Sequence, residues 1–433
     1  MILLRGGRVV SPSEGLDGLL DVLIDGGQIA AVGPGLRAAA DRTVDASGLV
    51  IVPGLIDMHV HLRQPGDEAK ETILTGARAA VRGGFTTVCA MPNTRPVNDR
   101  REITEQVLAE GRRSGLAHVL PIAAITRASG GRDLVDMAGL VAAGAVAFSD
   151  DGRPVPDSRV MRQALEAAAA AASFVIDHCE DRSLAEGGAI NEGAVSARLG
   201  LPGIPAAAED IMVSRDVILA AATGTRVHIA HLSTAGAVLM VAEAKARGVR
   251  VSAEATPHHL LLTDEALESR NANLKMNPPL RSPADAAALV EALRTGVIDV
   301  IATDHAPHTA AEKERGLVEA PFGIVGLETA VSLVLDRLVR PGTISLSRAV
   351  ELLSAGPARL LGLARKGRIA AGADADLTIL DPDLTVTVDK TRFESKSRNT
   401  PFDGWTLRGA PVMTIVGGRI VYPFDDAGPR SPS

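Results

Sequence analysis

The feature that most constrains this chain is the regular return of short apolar segments that end in polar, chemically capable residues. Eight of them lie between residues 53 and 364: GLIDMHVHL, FTTVCAMPN, HVLPIAAIT, GAVAFSDDG, SFVIDHCED, RVHIAHLST, VRVSAEATP and VIDVIATDH. Helical stretches separate most of them. SPADAAALVEALRTG, for example, offers Ser282 as an N-cap, Pro283 at the first helical position and Gly296 just past the end. Alternating strand and helix favours parallel strands joined by crossovers, and eight such units favour a (β/α)8 barrel. A doubly wound open sheet is the rival, but the chain lacks the Gly-rich phosphate loop that would support it.

The two ends have a different texture. ILLRGGRVV and LLDVLIDGGQIAAVG near the start, and DADLTILDP and APVMTIVGGRIVY near the finish, read as short strands joined by Gly turns. Residues 1–52 and 365–425 are therefore expected to form one composite, β-sandwich-like domain beside a barrel of residues 53–364. Residues 426–433 are expected to be a disordered tail.

Composition excludes several classes. Of 433 residues, 46% are hydrophobic and 22% charged, and the formal net charge is −7 with no Lys/Arg block. That argues against a nucleic-acid or anionic-membrane surface. The N-terminus lacks the pattern of a signal peptide, and no apolar run approaches the roughly 18 residues of a membrane span. Two cysteines, Cys89 and Cys179, are too few for a disulfide framework or a thiolate cluster. A cytoplasmic protein is the expectation.

In a (β/α)8 barrel, reactive groups gather where strands end. His59 and His61 end the first strand, and residues two apart on a strand share a face. Asp151 ends the fourth strand, His178 the fifth, His231 the sixth and Asp304 the eighth. Four histidines and two carboxylates thus converge on one rim from five strands. Imidazole nitrogen and carboxylate oxygen suit Zn²⁺ and its neighbours, and six ligands suit two ions sharing a bridge. Other histidines read as supporting: His228 inside its strand, His258 and His259 behind the ligands, His305 in local hydrogen bonds, and His118 at the opposite end of the barrel.

The motifs GLIDMHVHLRQPG, MPNT, FSDDG, DHCED, HIAHLS, MNPPLR, ATDHAPH and PFGIVGLET resemble the dihydroorotases of the amidohydrolase superfamily, type I bacterial branch, over essentially the whole chain. The resemblance implies two zinc ions per chain. His59 and His61 would hold one, His178 and His231 the other, Asp151 would bridge them, and Asp304 would bind the first while serving as general base and acid. Many relatives bridge with a carboxylated lysine on the fourth strand; GAVAFSDDG has none, and Asp150 is the adjacent competitor to Asp151.

Several substrate contacts are also implied. Arg63, beside His61, suits a substrate carboxylate through its planar fork. Asn93, Asn277, His308 and the backbone at Phe322 and Gly323 match substrate-binding positions, and residues 306–321 look like a mobile active-site loop. The implied reaction interconverts dihydroorotate and N-carbamoyl-L-aspartate in pyrimidine synthesis, through a hydroxide shared by the two ions. An allantoinase- or hydantoinase-like activity, or a non-catalytic partner of aspartate carbamoyltransferase, are the alternatives. A homodimer is expected, and association with aspartate carbamoyltransferase is the partner interaction considered.

Overall fold

Hydrogen bonding sorts the chain into two large sheets. The computed structural model describes residues 1–423, so the tail expected over 426–433 lies outside the described residues. The N-terminal strands are β1 (Ile2–Ser11), β2 (Leu16–Asp25), β3 (Gln28–Gly33), β4 (Arg42–Asp45) and β5 (Val50–Pro53). Eight further strands run in parallel: β6 (Leu55–Val60), β7 (Phe85–Ala90), β8 (His118–Ala123), β9 (Ala147–Phe148), β10 (Val175–Asp177), β13 (Val227–Ile229), β14 (Val251–Ala255) and β15 (Val300–Ile301). A small separate pair, β11 (Ile190–Asn191) with β12 (Gly203–Ile204), interrupts them. The chain closes with β16 (Leu377–Thr387), β17 (Thr406–Val416) and β18 (Arg419–Tyr422).

The eight parallel strands pair in chain order, and a bridge between Val60 and His305 joins the last to the first. This is the expected (β/α)8 barrel, with all eight strands where the apolar segments put them. β6 and β7 are buried along their whole length, as strands packed on both faces must be. Met58, Cys89, Ile122, Ile176 and Val300, drawn from five strands, form one apolar cluster. The helix Pro283–Thr295 starts and stops as its caps require. Ser282 accepts a hydrogen bond from the Asp285 N–H, and Gly296 ends it in the left-handed region.

The terminal strands form one continuous mixed sheet in the order β18-β17-β16-β5-β1-β2-β3, with β4 on β1. It packs around its own core of Leu4, Val9, Ile29, Ile51, Leu377 and Ile415. Gly26–Gly27 and Gly417–Gly418 have positive φ at both positions and turn β2 into β3 and β17 into β18. Gly6–Gly7 does not turn, against expectation. β1 runs straight through it with a register shift between Leu4 and Gly7. Gly7 is needed there for space, because a Cβ would lie 2.7 Å from Ile51 Cδ1. Among the described residues no helix is long and apolar enough to cross a membrane.

Candidate metal centre and active site

The C-terminal ends of the barrel strands bring the expected ligands together. Asp151 is the centre of the group. His59 Nε2 lies 3.4 Å from its Oδ1 and His61 Nε2 3.5 Å from its Oδ2. On the other side, His178 Nδ1 and His231 Nε2 lie 3.5 and 3.7 Å from Oδ1, and these two nitrogens are 2.9 Å apart. His59, His61 and Asp151 form one set able to hold an ion; Asp151, His178 and His231 form a second. Asp304 sits beside the first set, 3.1 Å from His61 Nε2 and 3.6 Å from His59 Nε2.

All six side chains are buried. A cluster of this kind without an ion leaves polar atoms stranded, since a buried polar group ordinarily has a partner. His59 Nε2, Asp151 Oδ1 and His231 Nδ1 are buried with no hydrogen bond among the described residues. Two of these atoms face the Asp151 contacts, so the donor set fits metal. His231 and Asp304 also adopt left-handed backbone angles, φ +28° and +47°, which non-glycine residues take at a cost of order 1–3 kcal/mol. Such strain is typical of residues held for chemistry.

Asp150 turns away. It accepts the backbone N–H groups of Ile125 (2.8 Å) and Thr126 (3.2 Å) and the Thr126 hydroxyl, which ties down the end of β8. Burial lifts its carboxyl to about 6. Of the two adjacent aspartates, Asp151 is the one among the histidines.

Charge follows the same geometry. Burial opposes ionisation of Asp304, but hydrogen bonding from His61 and the nearby imidazoles hold its carboxyl down at about 2. Burial likewise disfavours a charged His178, yet Asp151 and Glu180 raise it to about 10. His59 is pushed well above its ordinary value by Glu254 and Asp151 despite its burial.

The expected substrate residues fall into three places around this cluster. Arg63, at φ +61°, donates from Nε to the Pro307 carbonyl (3.2 Å) and lies 3.4 Å from His308 Nε2. His308 Nε2 in turn donates to the Phe322 carbonyl (2.8 Å). Gly323, at φ +119°, has no room for a side chain, because a Cβ would lie 2.6 Å from that of Ala306. Asn93 leans on the first pair, with its Oδ1 2.8 Å from His61 Nδ1. Asn277 belongs to the second, donating to Glu180 (2.6 Å) and lying 3.4 Å from His178 Nε2. The Phe322 ring is turned to Lys275, whose Nζ is 4.4 Å from its centroid.

Residues 306–321 contain two short helical turns, Ala310–Lys313 and Gly316–Glu319. Lys313 is buried and donates to the carbonyls of Pro321 (2.9 Å) and Gly323 (3.0 Å). The supporting histidines also have places. His118 pairs with Asp376 (3.2 Å), on the strand-start side of β8, while His259 is held by Thr256 and by the Pro278 carbonyl, both at 2.8 Å.

Comparison with known proteins supplies the family. The profile of the family described as Dihydro-orotase-like matches residues 48–237. A dihydroorotase of Pelotomaculum thermopropionicum is 55% identical over 420 residues, covering 97% of this chain and 98% of its own. One from Syntrophus aciditrophicus is 50% identical over 426 residues, covering 98% and 100%. The chain belongs to the dihydroorotase family. Among solved structures, the L-hydantoinase (dihydropyrimidinase) of Arthrobacter aurescens has a TM-score of 0.87 at 28% identity, covering 97% of this chain and 95% of that one. Like its dihydroorotase and hydantoinase relatives, the protein is a cyclic amidohydrolase.

Some residues of this dihydroorotase site escape sequence reasoning. Glu254, wholly buried in β14, accepts from His59 Nδ1 (2.7 Å), His228 Nε2 (3.2 Å) and the His231 N–H (3.3 Å). It fixes which His59 nitrogen is left for the cluster, a common support for metal-binding imidazoles. The available signal was a lone carboxylate inside an otherwise apolar strand, VSAEA. Behind His178, Arg215 joins Asp177 (3.1 Å) and Asp216 (2.7 Å) in a buried group that includes Cys179. No spacing rule brings those four together.

Proposed function

We propose that this chain interconverts dihydroorotate and N-carbamoyl-L-aspartate, and that two zinc ions held at the barrel mouth serve the reaction. The observation that carries the reading is the pair of histidine sets sharing Asp151, with buried ligand atoms left without partners. His59, His61 and Asp304 would hold one ion and His178 and His231 the other, with Asp151 between them. When bound, such ions supply Lewis acidity for a ring carbonyl and a water of lowered pKa.

The chain's own groups do the rest. Arg63, with His308 beside it and Asn93 held on His61, binds the substrate carboxylate, for which a guanidinium gives a paired, charge-assisted contact. Asn277 and the backbone at Phe322 and Gly323 orient the ring. Asp304, ionised in these surroundings, accepts a proton from the attacking water as the C–O bond forms. It then delivers that proton to the ring nitrogen as the C–N bond breaks. Ring closure is the reverse.

Two features favour dihydroorotate over hydantoin or allantoin. Identity to dihydroorotases is 48–55% over nearly the full length, against 28% for the hydantoinase structure. The β9 end also offers Asp151 and no lysine. Purified protein assayed on dihydroorotate, allantoin and hydantoin, alongside elemental analysis, is the test. Turnover of dihydroorotate with about two zinc ions per chain is expected. Preference for either other ring, or an active enzyme free of transition metal, would overturn the reading.

A homodimer is part of this proposal. Ile211, Ile218 and Leu239 are 50–62% exposed on the neighbouring helices Ala207–Thr223 and Ala235–Ala246, apolar area that a second copy would cover. Light scattering should give twice the 44.8 kDa chain mass, and a monomer would refute it.

A further inference from the structure

Between β16 and β17 the chain leaves the terminal sheet and crosses to the barrel mouth as FESKSRNT, residues 393–400. Connecting segments normally keep their polar groups in water. Here Ser395, Ser397, Asn399 and Thr400 are all buried. Ser395 donates its hydroxyl, and Lys396 its N–H (3.0 Å), to Glu71, which precedes the first barrel helix. Ser397 donates to the Lys70 carbonyl (2.7 Å). The segment is thereby fixed to the loop after β6.

Asn399 ties the same segment to the loop after β15. Its Oδ1 accepts the His308 N–H (3.1 Å), and its Nδ2 donates to the carbonyls of Ala306 (3.0 Å) and Gly323 (3.1 Å). Its own carbonyl accepts the Val325 N–H (3.0 Å). The amide therefore uses both donors and an acceptor at once, a pattern open to Asn but not to Asp, which has no donor when ionised. The two stretches it joins, 306–308 and 323–325, are the two ends of the loop that carries His308 and Gly323.

We infer that Asn399 is a positioning residue: it sets the spacing between His308 and Gly323 and so the fit of the substrate, without touching the substrate itself. The inference rests on the proposed reading of His308 and Gly323 as substrate contacts. A residue of this kind acts on binding, because neither group exchanges protons or bonds in the reaction. Its loss therefore belongs in KM rather than in kcat.

The test compares zinc-loaded wild type, Asn399→Ala, Asn399→Asp and His308→Ala, each with dihydroorotate, with kcat expressed per folded, metal-loaded site. Losing hydrogen bonds of ordinary net strength should raise KM in Asn399→Ala by about tenfold, with kcat and zinc content nearly unchanged. Asn399→Asp keeps the acceptor and loses both donors. It should also raise KM, and it carries the comparison should the alanine variant fail to fold. Backbone hydrogen exchange should quicken in residues 306–325 in both Asn399 variants. A raised KM in His308→Ala with an unchanged KM in the Asn399 variants would overturn the inference and leave the substrate reading standing. An unchanged KM in His308→Ala would sink that reading and this inference with it.

Discussion

The two sides of the active site are built differently. The side proposed to hold metal consists of His59, His61, Asp151, His178, His231 and Asp304, all buried and all at or next to the ends of strands in one hydrogen-bonded barrel. The side proposed to face the substrate consists of Arg63, Asn93 and Asn277, which are only half-buried, and of His308 and Gly323, whose positions depend on loop backbone. Strand ends fix side chains through the sheet itself. Loops must borrow their order from elsewhere, here from Asn399, Lys313 and Glu180. The proposed roles put chemistry that tolerates little displacement on the first, and recognition on the second.

Paired substitutions should separate the sides. Asp304→Asn removes the proton carrier, and loss of a positioned acid or base typically costs about 10²–10⁴-fold, so kcat should fall by that much or more. Arg63→Ala should act on the other side. Losing a hydrogen bond to a charged group costs roughly 1.5–3 kcal/mol, and the loss should appear chiefly in KM for dihydroorotate. Steady-state kinetics of both variants, with zinc content measured on each, is the check. An unchanged KM in Arg63→Ala would remove the carboxylate clamp from the mechanism, and a kcat spared in Asp304→Asn would remove its proton carrier.

The same division explains what could be read in the sequence. Strand period and apolar runs carry the barrel and place His59, His61, His178, His231 and Asp304 at one end, because those rules are local. Asp150 and Asp151 are adjacent and chemically alike, so local rules could not choose. The choice is made by the Ile125 and Thr126 N–H groups of a neighbouring strand end, which take Asp150. Arg63 is legible from its place two residues past His61, whereas Asn93 and Asn277 stand out only through the family resemblance, since each alone looks like a turn residue. Glu254 and Asn399 are not legible in the sequence because their partners lie far off: Glu254 to His59 spans 195 positions and Asn399 to His308 spans 91. At Gly6–Gly7 local rules cannot decide, because a Gly pair marks a bulge as readily as a hairpin, and Ile51, which decides between them, is remote in sequence.

The smallest expected effect, per unit of pH, sharpens the comparison furthest. In the metal-free protein His178 is raised from 6.5 to about 10; burial opposes the charge, but Asp151 and Glu180 outweigh it. A folded-state pKa above the unfolded one means that the His178–Asp151 pairing stabilises the metal-free fold fully below about 6.5. That contribution is lost as pH rises through about 10. Zinc needs the neutral imidazole, so it must displace this proton, and its affinity should rise with pH across that window. Each proton displaced corresponds to about 1.4 kcal/mol, or tenfold in affinity, per pH unit. The stabilisation of the fold on adding zinc should grow in step. Arg63 stays charged over the same range, so the substrate side has no matching slope from its clamp. Competition with a chelator from pH 6.5 to 9, corrected for the chelator's own protonation, measures the first slope, and proton release on adding zinc in weak buffer counts the protons. A zinc affinity flat across that range would mean that His178 is neutral before the ion arrives, and the pairing with Asp151 would no longer describe the metal-free site.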